Sequence, residues 1–319
     1  MIPTNRDLRG QKMKKTVSVI LSLAIIMSSV VYALATGTTM SVYSSYKIPS
    51  GTMRMIAHAG YSAVAPSNTL PAYEAAGKSD FWGAECDIQR TKDGVWILMH
   101  NDDVEDMTDG TGKVSELTYD EIMQFNVDVG SNIENYPDLK VAKLEDYLDI
   151  CKKYGLHPVI EIKSNVDPAY MNELAPVLLS RDDRDMFVII SFGREICLRI
   201  KELIPEIPVY YLIGFEDVSQ EDIDFAVNNK LDGMDIHVFL PDDYVKAVIA
   251  SGLDVFVWTI DDIDNCERFY KLGVNAITTN SINQETPEGN TFQQFLWTLR
   301  DYWYNLIQWF RAIFAGKTE

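Results

Sequence analysis

The 319-residue chain predicts an α/β protein of the (β/α)8, or TIM, barrel class. Three observations predict it. From Met55 onward, short β-rich runs alternate with amphipathic helical stretches, the signature of βαβ units and a parallel sheet. The runs number eight, which close most naturally into a barrel. The length suits one large α/β unit, and 47% hydrophobic with 24% charged residues supplies a real core. A doubly wound open sheet shares the same periodicity.

The strands are predicted at 55–59, 83–89, 158–162, 186–191, 209–213, 233–236, 254–259 and 275–278, several of them rich in β-branched or aromatic residues. Helical periodicity falls between them at 70–78, 143–154, 169–179, 194–203, 220–229, 242–250 and 263–272. Gly77, Gly155, Gly252 and Gly273 follow or end helical stretches, where a left-handed cap would turn the chain into the next strand. One connection is too long for the pattern. Residues 90–142, with an Asp93-Gly94 turn and a short strand at 95–99, form an insertion after the second strand, placed to cover or build a site. Cys86, Cys151, Cys197 and Cys266 are far apart and lie in or beside apolar stretches, so isolated buried thiols are expected.

The barrel is expected over 50–285, between two other segments. In 1–40, Lys12, Lys14 and Lys15 precede an apolar run from Val17 to Leu34 and the small-residue exit Ala33-Leu34-Ala35. That is a signal peptide cleaved after Ala35 or an uncleaved membrane anchor, and either exports the rest of the chain to the extracytoplasmic side. In 290–316, Phe292, Phe295, Leu299, Trp303, Leu306, Phe310 and Phe314 share one helical stripe. This amphipathic helix packs on the barrel, meets a second copy, or lies in a membrane interface, where Trp297 and Trp309 also fit. The formal net charge of -19 excludes nucleic acid as a partner, since phosphate neutralisation needs clustered Lys and Arg. The same charge makes a small phosphate substrate unwelcome unless a cation is held locally.

The functional face of a barrel lies at the carboxyl ends of its strands. There the sequence puts His58, Glu85, Asp87, His100, Glu161 and Lys163. In Glu85-Cys86-Asp87 the strand alternation turns both carboxylates to one side, and Glu161 and Lys163 share a side likewise. Three carboxylates from neighbouring strands make a hard-oxygen site for Mg²⁺ or Ca²⁺, unless Glu161 and Lys163 merely pair with other charges of the barrel. His58 and His100, two of four histidines, flank it as an acid and a base; His157 and His237 lack such neighbours and read as structural.

Ala57-His58-Ala59-Gly60, then Ala65-Pro66-Ser67-Asn68-Thr69, Glu85-Cys86-Asp87, Thr91-Lys92-Asp93-Gly94 and His100 together resemble the glycerophosphodiester phosphodiesterase family. The likeness continues through Glu161-Ile162-Lys163, Ser191-Phe192, Val257-Trp258-Thr259 and Thr278-Thr279-Asn280. It implies a metal held by Glu85, Asp87 and Glu161, His58 and His100 as acid and base, and Lys163 at the phosphate. It also implies a substrate pocket including Asn68, Phe192 and Trp258, and cleavage of small-molecule or lipid glycerophosphodiesters to glycerol phosphate and an alcohol. A catalytically weak, phosphate-binding barrel and a cyclising lyase are the alternatives. The chain departs from the family pattern at Ala59, usually Arg; at Ser67, usually Glu; and at Asn101 and Asp106, usually Asp and Arg.

Overall fold

The computed structural model describes residues 53–282 apart from 217, so the expected leader and C-terminal helix lie outside the described residues. Among the described residues no helix is long and apolar enough to cross a membrane.

Eight parallel strands form a closed barrel: β1 (Arg54–Ala57), β2 (Gly83–Arg90), β4 (His157–Ile162), β5 (Val188–Ser191), β6 (Val209–Ile213), β7 (Gly233–His237), β8 (Asp254–Trp258) and β9 (Ala276–Thr279). Strand β1 pairs with both β2 and β9, which closes the ring. A ninth strand, β3 (Trp96–Leu98), runs antiparallel against the end of β2. Helices α1 (Leu70–Gly77), α3 (Leu144–Tyr154), α4 (Met171–Leu179), α5 (Arg194–Leu203), α6 (Gln220–Asn228), α7 (Asp242–Ala250) and α8 (Ile263–Leu272) connect the strands, and a one-turn helix α2 (Tyr119–Ile122) lies in the insertion.

Outward residues of every strand, such as Cys86, Ile88, Ile160 and Ile162, join one large core with the helices. The smaller inner core holds Ile56, Val159, Val188, Ile190, Tyr210, Leu212, Phe256 and Ala276. Because the strands are tilted, side chains at one height come from alternate strands. Followed through the pairing register, Ile56, Val159, Tyr210 and Phe256 form one such layer. Above it lie Glu85, Ile190, Asp235 and Thr278, then His58, Glu161, Leu212 and Trp258, and at the mouth Asp87, Phe192, His237 and Asn280. The interior therefore changes from apolar to ionisable within one step, at the height of Glu85.

The insertion builds a core of its own. Strand β3 turns Trp96 and Leu98 to the main core, and Ile97 and Met99 to a satellite cluster with Val104, Val114, Ile122 and Val141. Gly155 and Gly273 are left-handed caps, and Gly252 has a positive φ just past α7. Gly77 is not a left-handed cap. It remains in α1, and a Cβ there would sit 2.3 Å from the Tyr154 ring, so close helix packing is what requires glycine. All four cysteines are free and buried, as their apolar settings predict.

Candidate active site

The register sets Asp87 of β2 beside Glu161 of β4, and alternation puts Glu85 one step below on the same side. Single oxygens of Glu85, Asp87 and Glu161 lie within 4.8 Å of one another, and all three residues are buried. Glu85 and Asp87 are held from behind. The Ala59 N–H donates to Glu85 Oε2 at 2.8 Å. The Asn68 amide donates to Asp87 Oδ2 at 2.6 Å, while its Oδ1 accepts from the Asp87 N–H at 3.1 Å and the Tyr73 hydroxyl at 2.9 Å. Asn68 is thus buried behind Asp87 as its holder. Ala59 and Asn68 both have positive φ, 51° and 57°, which costs a residue with a Cβ about 1–2 kcal/mol. Gly60 follows at φ 80°, where a Cβ would meet Ala72 Cβ at 2.7 Å.

Lys163 Nζ lies 3.0 Å from Asp87 Oδ1 and 2.7 Å from Glu161 Oε1. Burial disfavours its charge, but the two carboxylates outweigh that and raise its pKa. Burial pushes the Asp87 carboxyl up, yet Lys163, followed by His100 and the Asn68 hydrogen bond, holds it far below the usual range. Glu161 is raised by burial against the pull of Lys163. Glu85 is raised well above normal by burial and then by the charges of Asp87 and Glu161. Its Oε1 is buried with no hydrogen-bond partner among the described residues. One ammonium cannot neutralise three carboxylates. An orphaned buried oxygen beside two more carboxylates fits an oxygen-seeking divalent cation.

His58 lies on this cluster, its Nε2 4.0 Å from Glu85 Oε2. Its Nδ1 is 2.8 Å from Asn280 Oδ1, and Asn280 Nδ2 in turn donates to Asp261 Oδ2 at 2.5 Å. Because Asn280 offers an oxygen, His58 Nδ1 is the donor in this pair and Nε2 is the nitrogen turned to the site. His100 stands just past β3, its Nδ1 2.5 Å from Asn101 Oδ1. Gln89, at the end of β2, donates to the Met99 carbonyl at 3.2 Å and the Asn101 carbonyl at 2.5 Å, fastening the His100 segment to the barrel.

A family model described as the glycerophosphoryl diester phosphodiesterase family matches residues 58–284. The chain belongs to that family. It is 29% identical over 249 residues to a glycerophosphodiester phosphodiesterase of Bacillus subtilis, covering 70% of this chain and 82% of the relative. It is 27% identical over 279 residues to glycerophosphodiester phosphodiesterase 1 of Bos taurus, covering 75% and 82%. Among solved structures, a phosphodiesterase of Oleispira antarctica in complex with the product sn-glycerol-3-phosphate superposes with a TM-score of 0.65 at 25% identity, covering 71% of this chain and 92% of that one.

Against the glycerophosphodiester phosphodiesterase pattern, two of the departures meet each other. Asn101 Nδ2 donates to Asp106 Oδ2, so a neutral donor and an acidic acceptor join the positions usually held by Asp and Arg. Ala59 gives only its backbone N–H to the site. Lys163 is the cation lying directly on the acidic cluster among the described residues.

Several site residues had no role assigned from the sequence. Asn280, 222 residues from His58 in number, reaches it from the adjacent strand β9, and Asp261 stands behind Asn280; only the register reveals them. Asp235 is 1% exposed, its Oδ1 is buried with no hydrogen-bond partner among the described residues, and it shares the layer of Glu85. Burial, then the charge of Glu161, raises its pKa well above normal. His237 lies at the mouth, while His157 stacks on Trp82 at 4.0 Å at the amino end of β4. Trp258 and Phe192 meet edge to face at 5.8 Å across the mouth.

Proposed function

We propose that this phosphoric diester hydrolase cleaves glycerophosphodiesters to glycerol phosphate and an alcohol, using Mg²⁺ or Ca²⁺ held by Glu85, Asp87 and Glu161. The observation that carries the reading is the convergence of three buried carboxylates within 4.8 Å beside a histidine whose Nε2 faces them. When bound, the cation would neutralise phosphoryl oxygens and lower the cost of bringing a nucleophile to them. His58 Nε2 accepts a proton from the attacking hydroxyl, with Asn280 and Asp261 fixing its tautomer. His100 returns a proton to the leaving alkoxide. In net terms water is consumed: one P–O bond forms, one breaks, and the proton leaves with the alcohol. Lys163 contributes positive charge where the phosphate would lie.

Release of glycerol phosphate from a panel of diesters, with and without chelator, tests this reading. Turnover should stop with chelator and return with Mg²⁺ or Ca²⁺. His58→Ala or His100→Ala should lower kcat by at least 100-fold with folding retained; substantial residual turnover removes that residue from the mechanism. Phosphorus NMR of the product separates hydrolysis from cyclisation. The lysine-flanked apolar run at residues 12–34 supports an extracytoplasmic, membrane-proximal location. Protease accessibility of the barrel in intact cells would test it.

A further inference from the structure

The barrel mouth is divided. Glu85, Asp87, Glu161, Lys163 and His58 occupy the side of β1, β2 and β4, whereas the side of β5 to β8 is aromatic. Trp258 begins a chain of rings: it meets His237 at 4.7 Å, His237 meets Phe215 at 4.9 Å and Phe239 at 4.8 Å, and Phe215 meets Phe239 at 5.9 Å. Phe192 closes on Trp258 from the other flank. Phe192, Phe215 and Phe239 follow three successive strands and are 37%, 42% and 69% exposed. Surface hydrophobics scattered singly need no explanation, but a contiguous strip does.

His237 belongs to the strip as an uncharged ring. Its Nδ1 accepts from the Phe239 N–H at 3.2 Å, and burial lowers its pKa to about 4. The strip is continuous with the chemistry at one end, because Trp258 shares a barrel layer with His58 and Glu161, and runs outward to Phe239 at the rim. A compact headgroup at the cluster would reach only the first rings. The outer two lie past it, where a flexible hydrocarbon chain would follow them.

We propose that the Trp258, His237, Phe215 and Phe239 strip binds the single hydrocarbon chain of a lysophospholipid whose phosphodiester lies at the acidic cluster. This assignment rests on the phosphodiesterase reading and narrows its substrate class. Burying each methylene is worth about 0.8 kcal/mol, near fourfold in affinity, so a partly solvated chain of several carbons readily gives a tenfold preference.

The test compares glycerophosphocholine with lysophosphatidylcholines of six to ten carbons, all below their critical micelle concentrations, using the full-length chain. The expected result is a kcat/KM that rises at least tenfold with chain length. In Phe215→Ser and Phe239→Ser that rise should disappear while glycerophosphocholine turnover stays within twofold. Turnover of both classes without chain-length dependence, unchanged by either variant, overturns the chain site and leaves the phosphodiesterase reading standing. A preference seen only with micellar lipid assigns the rings to a lipid surface, and a sedimenting dimer broken by Phe239→Ser assigns them to a second copy; both results also overturn the proposal. Absence of turnover on every diester with Mg²⁺ and Ca²⁺ would instead defeat the underlying reading.

Discussion

Removing the ammonium of Lys163 should make the protein depend on a divalent cation for its stability. Lys163 Nζ touches Asp87 at 3.0 Å and Glu161 at 2.7 Å, and all three side chains are at least 85% buried. Deleting one partner of a buried ion pair costs about 3–5 kcal/mol, because the charges left behind have neither water nor a counterion. In a domain of this size 1 kcal/mol corresponds to about 2–4 °C, so Lys163→Met should lower Tm by roughly 10 °C in chelator. A bound cation supplies the missing charge to the same oxygens, and in the variant it no longer competes with the ammonium for them. Thermal unfolding followed calorimetrically against Mg²⁺ or Ca²⁺ should therefore show a larger metal-induced rise in Tm for Lys163→Met than for the wild type. Equal or smaller gains would refute the claim that lysine and metal share these oxygens.

Three other perturbations follow from the same geometry. Asn280→Ala releases His58 Nδ1 and should lower kcat on the order of 100-fold with KM nearly unchanged, measured by steady-state kinetics; a loss confined to KM would contradict a tautomer-fixing role. Asp235 keeps a proton in the fold that the unfolded chain releases above about pH 4, so its contribution to stability is full below that pH and declines as pH rises toward the elevated folded value. Asp235→Asn should then gain about 1–3 kcal/mol at pH 8 and little at pH 4, read from urea unfolding; the same gain at both pH values would sink the argument. Gly60→Ala, with its Cβ 2.7 Å from Ala72 Cβ and φ at 80°, should cost about 1–3 kcal/mol in the same assay, and an unchanged midpoint would show that the turn relaxes freely.

The alternation of β-rich and helical patterns made the barrel legible, because parallel strands buried on both faces keep near-continuous apolar runs. The acidic cluster was legible for a local reason: Glu85-Cys86-Asp87 and Glu161-Ile162-Lys163 each announce a shared face through a period of two. What escaped was long-range. The partnership of Asn280 with His58 depends on β9 returning to β1, and the Asn101–Asp106 bond depends on how the insertion folds back. Asp235 looked ordinary because nothing in Gly233-Met234-Asp235-Ile236 tells which residue faces Glu85 across the interior. His237 lacks chemical neighbours in sequence and gains aromatic ones only when β6 and β8 flank it.

The satellite core beneath β3 gives the two histidines different mechanical fates. His58 belongs to the barrel wall, whereas His100 follows a strand that shares one face with the main core and gives the other to the satellite cluster. Small peripheral clusters open at lower free energy than the unit that supports them. Heating should accordingly disarm this protein before it melts it, with the arm that carries His100 swinging away from a wall that is still standing.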